Sequence, residues 1–408
     1  MSNRASREEV TSSLMSAKIY IALLSLAISA FAIGTTEFVL VGLLQTVADD
    51  LSISITRAGT LISGYAVAIA VGTPLIATFS GRFPKKQLLL LLMTIFTLGN
   101  LLAAFSHSYG LLMLSRVITA IAHGVYFAVA ATVAVDMVPA SHKGTAVSIM
   151  FTGLTVATIA GVPMGTYIGQ HFGWRATFGV VAALGFIALA SNGLAIGKVN
   201  QDSSKLRLSD IRKLVFNNRI LLALLMTILG FGGTFTLFTY LTPILENISG
   251  YSPGSITLLL LVYGVAVAIG NLVGGKLANA HPVKSLRLVF LCQSIVLLLQ
   301  IVLLPSKQLT ILGLILMGFF AFMMSPGVQA YILTLAEEFA PSAKNLASAL
   351  NISAFNIGIA AGSTIGGYAV DHLGYLDTAW LGAIMVCGAM LLAMLNYRLD
   401  RQQQLFEE

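Results

Sequence analysis

The sequence predicts an all-α polytopic membrane protein, with twelve transmembrane helices in two pseudo-symmetric six-helix bundles. Three observations carry that reading. First, the 408 residues are 57% hydrophobic and only 10% charged, whereas a soluble domain carries about 25% charged residues. So few charges cannot clothe a water-facing surface, and most of the outside is left to lipid. Second, apolar runs long enough to cross a bilayer follow one another along the whole chain. Third, the pattern occurs twice. Gly64–Lys86 returns 198 residues later as Val262–Lys284, matching Tyr65 with Tyr263, Ala68 with Ala266, Gly72 with Gly270, Pro84 with Pro282 and Lys86 with Lys284. A second echo, offset by 201, relates Gly161, Gly165 and Gly173 to Gly362, Gly366 and Gly374. A period near 200 is too long for a solenoid and fits a duplicated half-protein, a common plan among secondary transporters.

The elements follow from length, since a crossing helix needs about 20 apolar residues. Runs that meet this requirement are 19–43, 58–80, 87–106, 109–133, 145–169, 175–197, 219–245, 254–275, 286–305, 309–335, 346–370 and 377–397. The polar segment Met1–Ala17 leads into the first and has no signal-peptide apolar core. The longest polar interruption, Lys198–Asn218, falls between the sixth and seventh. The expected organisation is therefore residues 1–197 as one bundle, 198–218 as a linker and 219–408 as the other bundle. Within the linker, Leu206, Ile211, Leu214 and Val215 are placed to form one face of an interfacial helix.

Charge sets the expected orientation. With the N-terminus inside, nineteen of the 23 lysines and arginines fall in cytoplasmic segments. Arg57, Arg175 and Lys307 fall outside, and Arg116 lies within the fourth span. Both termini are then cytoplasmic in a multi-pass protein of the cell membrane. The net charge of +7 is thus accounted for without a nucleic-acid partner. Cys292 and Cys387 lie inside apolar runs, so neither a disulfide framework nor a metal site is expected.

Ionisable residues inside a span are costly and are functional candidates by default. Here they are Glu37 in the first span and Arg116 and His123 in the fourth. Arg116 and His123 are seven residues apart and so share one helix face. If the two spans face each other, Glu37 is placed to pair with Arg116, either as a proton-coupling group or as a structural ion pair. His123 either joins that coupling or makes a local hydrogen bond. By position, the candidate substrate cavity is Phe31, Phe38, Tyr65, Phe127, Phe235, Tyr240, Gln329 and Asn356. This aromatic set with a few amides suits uncharged or lipophilic compounds at least as well as sugars.

Two further constellations stand out. Small residues recur at every fourth position around Gly161, Pro163 and Gly165, and again at Gly362 and Gly366. Such spacing lets helix backbones approach closely, as ordinary packing or as a seam between halves that rock. Arg82, in the loop after the second span, is placed to bridge to Asp136 as a cytoplasmic gate, with Lys284 and Glu338 at the corresponding places in the second half. Gly270–Leu277 approaches a phosphate-loop pattern, but it ends in Leu277 instead of Ser or Thr and follows no strand.

These strings resemble the major facilitator superfamily, and within it the drug:proton antiporter-1 family, near the arabinose-efflux-permease-like and sugar-efflux members. The matching segments are TTEFVLVGLL (Thr35–Leu44), SRVITAIAHG (Ser115–Gly124), GVPMGTYIGQHFGWRATF (Gly161–Phe178) and FTYLTPIL (Phe238–Leu245). The resemblance implies two six-helix bundles around a central cavity, alternating access, and export of drugs or sugar-like compounds driven by inward proton flow. Arg116 matches the arginine of the superfamily's fourth-span motif; Gly161, Pro163 and Gly165 match the antiporter motif of the fifth. The loop after the second span departs from the usual D-R-x-G-R-[RK]: Gly81 replaces the aspartate and Pro84 the glycine. Asp136 is then the acidic partner left for Arg82. The expected partners are a small-molecule substrate, protons and the bilayer, with the chain a monomer that needs no cofactor. Two alternatives remain open: a proton symporter importing a nutrient, and a non-transporting membrane receptor on the same fold.

Overall fold

A computed structural model describes residues 17–80, 83–139, 142–197, 212–214, 216–280 and 282–407. It contains twelve helices long and apolar enough to cross a membrane. In chain order they are α1 (Ala17–Asp50), α2 (Ile55–Ser80), α3 (Lys85–Ala104), α4 (Tyr109–Asp136), α5 (Lys143–Val156 continued by Ala157–Gly161 and Val162–Phe172) and α6 (Trp174–Ala195). The second set is α7 (Asn218–Phe238 and Leu241–Asn247), α8 (Pro253–Ala280), α9 (Pro282–Leu303), α10 (Thr310–Ala321 and Met324–Phe339), α11 (Lys344–His372) and α12 (Asp377–Glu407). Each overlaps one of the runs read from the sequence, though the ends differ.

Prolines explain the irregularities. A proline inside a helix lacks the N–H owed to the fourth carbonyl before it, and its ring crowds that carbonyl. Pro163 follows a π-helical turn, Ala157–Gly161, that interrupts α5. Pro243 lies just beyond the break in α7 at Thr239 and Tyr240. Pro326 lies just beyond the break in α10 at Phe322 and Met323.

The duplication is visible as repeated packing. In the first half α1 packs on α5 and α6, α2 on α4, and α3 on α4 and α6. In the second, α7 packs on α11 and α12, α8 on α10, and α9 on α10 and α12. The halves meet through α2 against α11 and α5 against α8, contacts that an exchange of halves would interchange. Large apolar side chains such as Leu98, Phe186, Leu272, Leu288 and Ile384 are exposed on the outside of the bundle, as lipid-facing residues must be.

An even number of crossings brings both chain ends to one face, called here the terminal face. The opposite, distal face carries Asp50, Arg175, Tyr251 and Lys307. The described ion pairs each lie within one half: Lys85–Asp136, Arg219–Asp400 and Lys344–Glu337 at the terminal face, and Arg175–Asp50 at 2.7 Å on the distal face. Among the described residues, the hydrogen bonds that join the halves lie toward the distal face. Thr242 donates to the Val41 carbonyl at 2.8 Å, Thr257 donates to Gln170 at 3.2 Å, and Thr56 donates to Asp371. The linker residues Leu206, Ile211 and Val215 lie outside the described residues, while Leu214 is buried.

Candidate functional site

The middle of α1 carries the sequence Gly34-Thr35-Thr36-Glu37-Phe38, buried throughout. Glu37 is 6% exposed and Arg116 of α4 is 1% exposed, so both sit away from solvent. They are near neighbours without the expected ion pair. Arg116 Nη1 donates to the Thr36 carbonyl at 2.7 Å, one residue from Glu37, and its guanidinium lies 3.8 Å from the centre of the Tyr65 ring. Glu37 Oε1 and Arg116 Nε and Nη2 have no hydrogen-bond partner among the described residues. Arginine suits this position because it combines a planar face for the ring with an edge for the carbonyl.

Tyr65 joins the sequence-predicted groups. Its hydroxyl lies 3.0 Å from His123 Nδ1, while its ring takes Arg116. His123 meets Phe127 with tilted rings at 5.2 Å, and Phe127 stacks on Phe151 at 5.4 Å. The seven-residue spacing of Arg116 and His123 thus does place both on one face of α4, with Tyr65 of α2 touching each. The sequence does not show this link, since Tyr65 reads there as a cavity residue alone. A tyrosine seven residues into a hydrophobic run gives no sign that it will reach two residues on another helix.

Glu37, Phe38 and Val41 of α1, Ile62, Tyr65 and Ala66 of α2, Phe235 of α7, and Asn356 and Ile359 of α11 line a cleft between the halves. Its volume is about 10 Å³, room for about one water, so the halves are closed together at this level. Four of the predicted cavity residues, Phe38, Tyr65, Phe235 and Asn356, are among the lining. The others sit elsewhere. Phe31 lies a turn before Thr35, whose hydroxyl donates to its carbonyl. Phe127 packs behind His123. Gln329 belongs to an amide network in the second half: its Nε2 donates to Ser348 at 2.8 Å, and its Oε1 accepts from Asn351 at 2.7 Å. Asn351 in turn accepts from Thr227 at 2.8 Å. Tyr240 seals the distal side, with its hydroxyl on the Ser363 carbonyl at 3.0 Å and against Gly59 and Gly367. Its place in the α7 break turns it from the cleft toward α2 and α11.

The glycines of α5 and α11 make the close helix approaches of ordinary packing. Gly161 and Gly165 face Thr35 and Val39 of α1, and Gly362 and Gly366 face backbone carbonyls of Gly232 and Thr236 in α7. These close approaches lie within each half. The corresponding approach between halves is made by Gly264 of α8 against Thr158 and Ile159, in the π-helical turn beside Pro163. Gly270 and Gly274 pack on the α10 backbone at Phe319 and Met323, so their spacing serves helix packing. Of the terminal-face constellation, Arg82 lies outside the described residues, and Asp136 pairs with Lys85. Lys284 is exposed at the start of α9 and Glu338 lies near the end of α10.

The cleft and its unpaired buried carboxyl thus lie at the centre of two like six-helix halves that span a membrane by length and composition. The family model described as Major Facilitator Superfamily matches residues 26–340, and the chain belongs to that superfamily. It is 47% identical over 385 residues to the MFS-type transporter YtbD of Bacillus subtilis, covering 94% of this chain and 97% of that protein. It is 39% identical to the inner membrane transport protein YdhP of Escherichia coli, covering 93% and 97%. Among solved structures, it resembles a bacterial homologue of the human lysosomal transporter Spinster, captured inward-facing and unoccupied. That match has a TM-score of 0.71 and 14% identity, over 93% of this chain and 96% of the other. It supports the fold.

Proposed function

We propose that this transporter is a proton-coupled exporter of small organic molecules, of the drug:proton antiporter-1 kind, with Glu37 as the proton-carrying group. The observation that carries the reading is Glu37 itself: a buried carboxyl lining the cleft between the halves, beside an arginine to which it is not bonded. Apolar surroundings favour a neutral carboxyl and a nearby guanidinium favours a charged one. A change of state that alters the Glu37–Arg116 separation therefore changes how tightly the proton is held. One pH unit of proton affinity is worth about 1.36 kcal/mol, and a potential of about 100 mV supplies ~2.3 kcal/mol per charge. A swing of about two units is thus enough to couple protons to uphill movement. Tyr65 completes the coupling group with its ring on Arg116 and its hydroxyl on His123.

Within this reading the termini are cytoplasmic, since the segments that the sequence assigns to that side hold nineteen of the 23 lysines and arginines, and the membrane is the cell membrane. Residues 1–197 and 219–408 move as units joined by 198–218, and the working unit is a monomer. Reconstituted protein tests the function directly. Wild type is expected to accumulate substrate against its gradient when a pH difference is imposed, with protons and substrate moving oppositely. Glu37→Gln, fixed in the neutral form, should stay folded and lose uphill transport while still exchanging substrate downhill. Proton and substrate moving together would establish import by symport, and near wild-type uphill rates in Glu37→Gln would remove Glu37 from coupling.

A further inference from the structure

The cleft that holds Glu37 also presents a second buried polar atom with nothing to bond. Asn356 is 1% exposed and lines the cleft from α11, in the opposite half. Its Nδ2 donates to the Ile352 carbonyl one turn back at 2.9 Å. That contact fixes the orientation of the amide, because a carbonyl oxygen can only face the nitrogen end. The atom left over is therefore Oδ1, an acceptor, and it has no partner among the described residues. Glu37 Oε1 is in the same condition on the other side. Tyr65, the remaining polar side chain of the lining, already has its hydroxyl on His123.

We infer that the substrates are uncharged apolar or aromatic molecules carrying at least two hydrogen-bond donors, O–H or N–H, which bridge Glu37 in one half and Asn356 in the other. This deepens the exporter reading and rests on its placing of the substrate in this cleft. Two acceptors without a matching donor call for a ligand that donates. The rest of the wall, Phe38, Phe235, Val41, Ile62, Ala66 and Ile359, offers apolar and aromatic surface to the ligand skeleton. Anions are disfavoured because the nearby cation is not turned to the cleft: Arg116 is held on the Thr36 carbonyl and the Tyr65 ring. Quaternary ammonium compounds and ethers are disfavoured because they bring no donor and leave Asn356 Oδ1 unpaired. Opening of the halves admits the molecule, and bonds made to both halves draw them together again.

The experiment uses the full chain in nanodiscs and three compounds on one skeleton: dihydroxynaphthalene, its dimethyl ether and the corresponding dicarboxylate. Affinity is measured by calorimetric titration, with thermal stabilisation as a second readout. Dihydroxynaphthalene is expected to bind at least about tenfold tighter than either analogue. Asn356→Leu should erase most of that preference, and Asn356→Asp, which keeps an acceptor, should restore it. Glu37→Gln also keeps an acceptor and should retain the preference although its coupling is lost. Equal affinity for diol and ether, no binding of the diol, or a preference untouched by Asn356→Leu would each overturn the inference and assign the two acceptors to an internal water. Selective diol binding without any pH-driven transport would instead sink the coupling reading and leave the substrate class standing.

Discussion

In the first half of the molecule the central polar groups are a carboxyl, a guanidinium, a phenol and an imidazole, from Glu37, Arg116, Tyr65 and His123. In the second they are hydroxyls and amides, from Thr227, Asn351, Gln329 and Ser348. The two sets sit on equivalent scaffolds, since α1 on α5 and α2 on α4 repeat as α7 on α11 and α8 on α10. They differ in completeness. The amide network is a closed run of bonds between 2.7 and 2.8 Å, holding α10 and α7 to α11. The charged set leaves Glu37 Oε1 and two guanidinium nitrogens unbonded. A buried polar group without partners is expensive, so its environment is one that another state or a ligand can improve. The first half thus carries the ionisable central groups and the second a neutral amide network, beside which Asn356 Oδ1 at the cleft is left without a partner among the described residues.

The sharpest way to break this comparison is at Arg116. Arg116→Leu removes the cation from Tyr65 and the charged hydrogen bond that the Thr36 carbonyl accepts beside its helical one, at an expected cost of about 3 kcal/mol in stability. Uphill transport should be lost entirely, including in whatever folded fraction is recovered by size-exclusion chromatography. Retained pH-driven accumulation would show that the charged set is only structural.

Next in size is a contrast between the two glycine seams. At Gly362 an added methyl meets the backbone carbonyl of Gly232, whereas at Gly161 it meets the side chain of Thr35. A side chain can rotate away and a helix backbone cannot, and overpacking costs about 1–3 kcal/mol. Gly362→Ala should therefore lower the unfolding midpoint more than Gly161→Ala. The reverse order would mean that the second half is the more yielding one.

Asn351→Leu should cost about 1–2 kcal/mol, because Thr227 and Gln329 each lose a partner. The pH dependence of transport should nevertheless match wild type when rates are normalised to folded protein. A displaced pH profile would tie the amide network to proton coupling and erase the distinction between the halves. The smallest effect is expected on the distal face. Thr56→Val removes the bond to Asp371 and should cost less than about 1 kcal/mol. It should raise the labelling rate of a cysteine at Val41 by an impermeant maleimide, and an unchanged rate would show that this bond does not hold the face closed.

Several features were legible in the chain before any coordinates. Low charge content and long apolar runs dictate spanning helices, because a bilayer satisfies no backbone hydrogen bond and leaves the chain few other choices. The 198- and 201-residue echoes announced the two halves, and Glu37, Arg116 and His123 stood out as ionisable groups that a span does not carry without cause. Tertiary structure decided what sequence spacing cannot. Periodicity fixes which residues share a face of one helix, yet it says nothing of which face of another helix lies opposite. Hence Tyr65 proved to link Arg116 with His123, and Gly161 and Gly165 proved to pack inside their own half. Tyr240 turned toward the distal seal because Pro243 follows a break in its helix. The unpaired oxygens of Glu37 and Asn356 likewise become visible only when two helices nearly 320 residues apart in the chain are pressed together. Whether a buried group finds a partner is a property of the assembled interior.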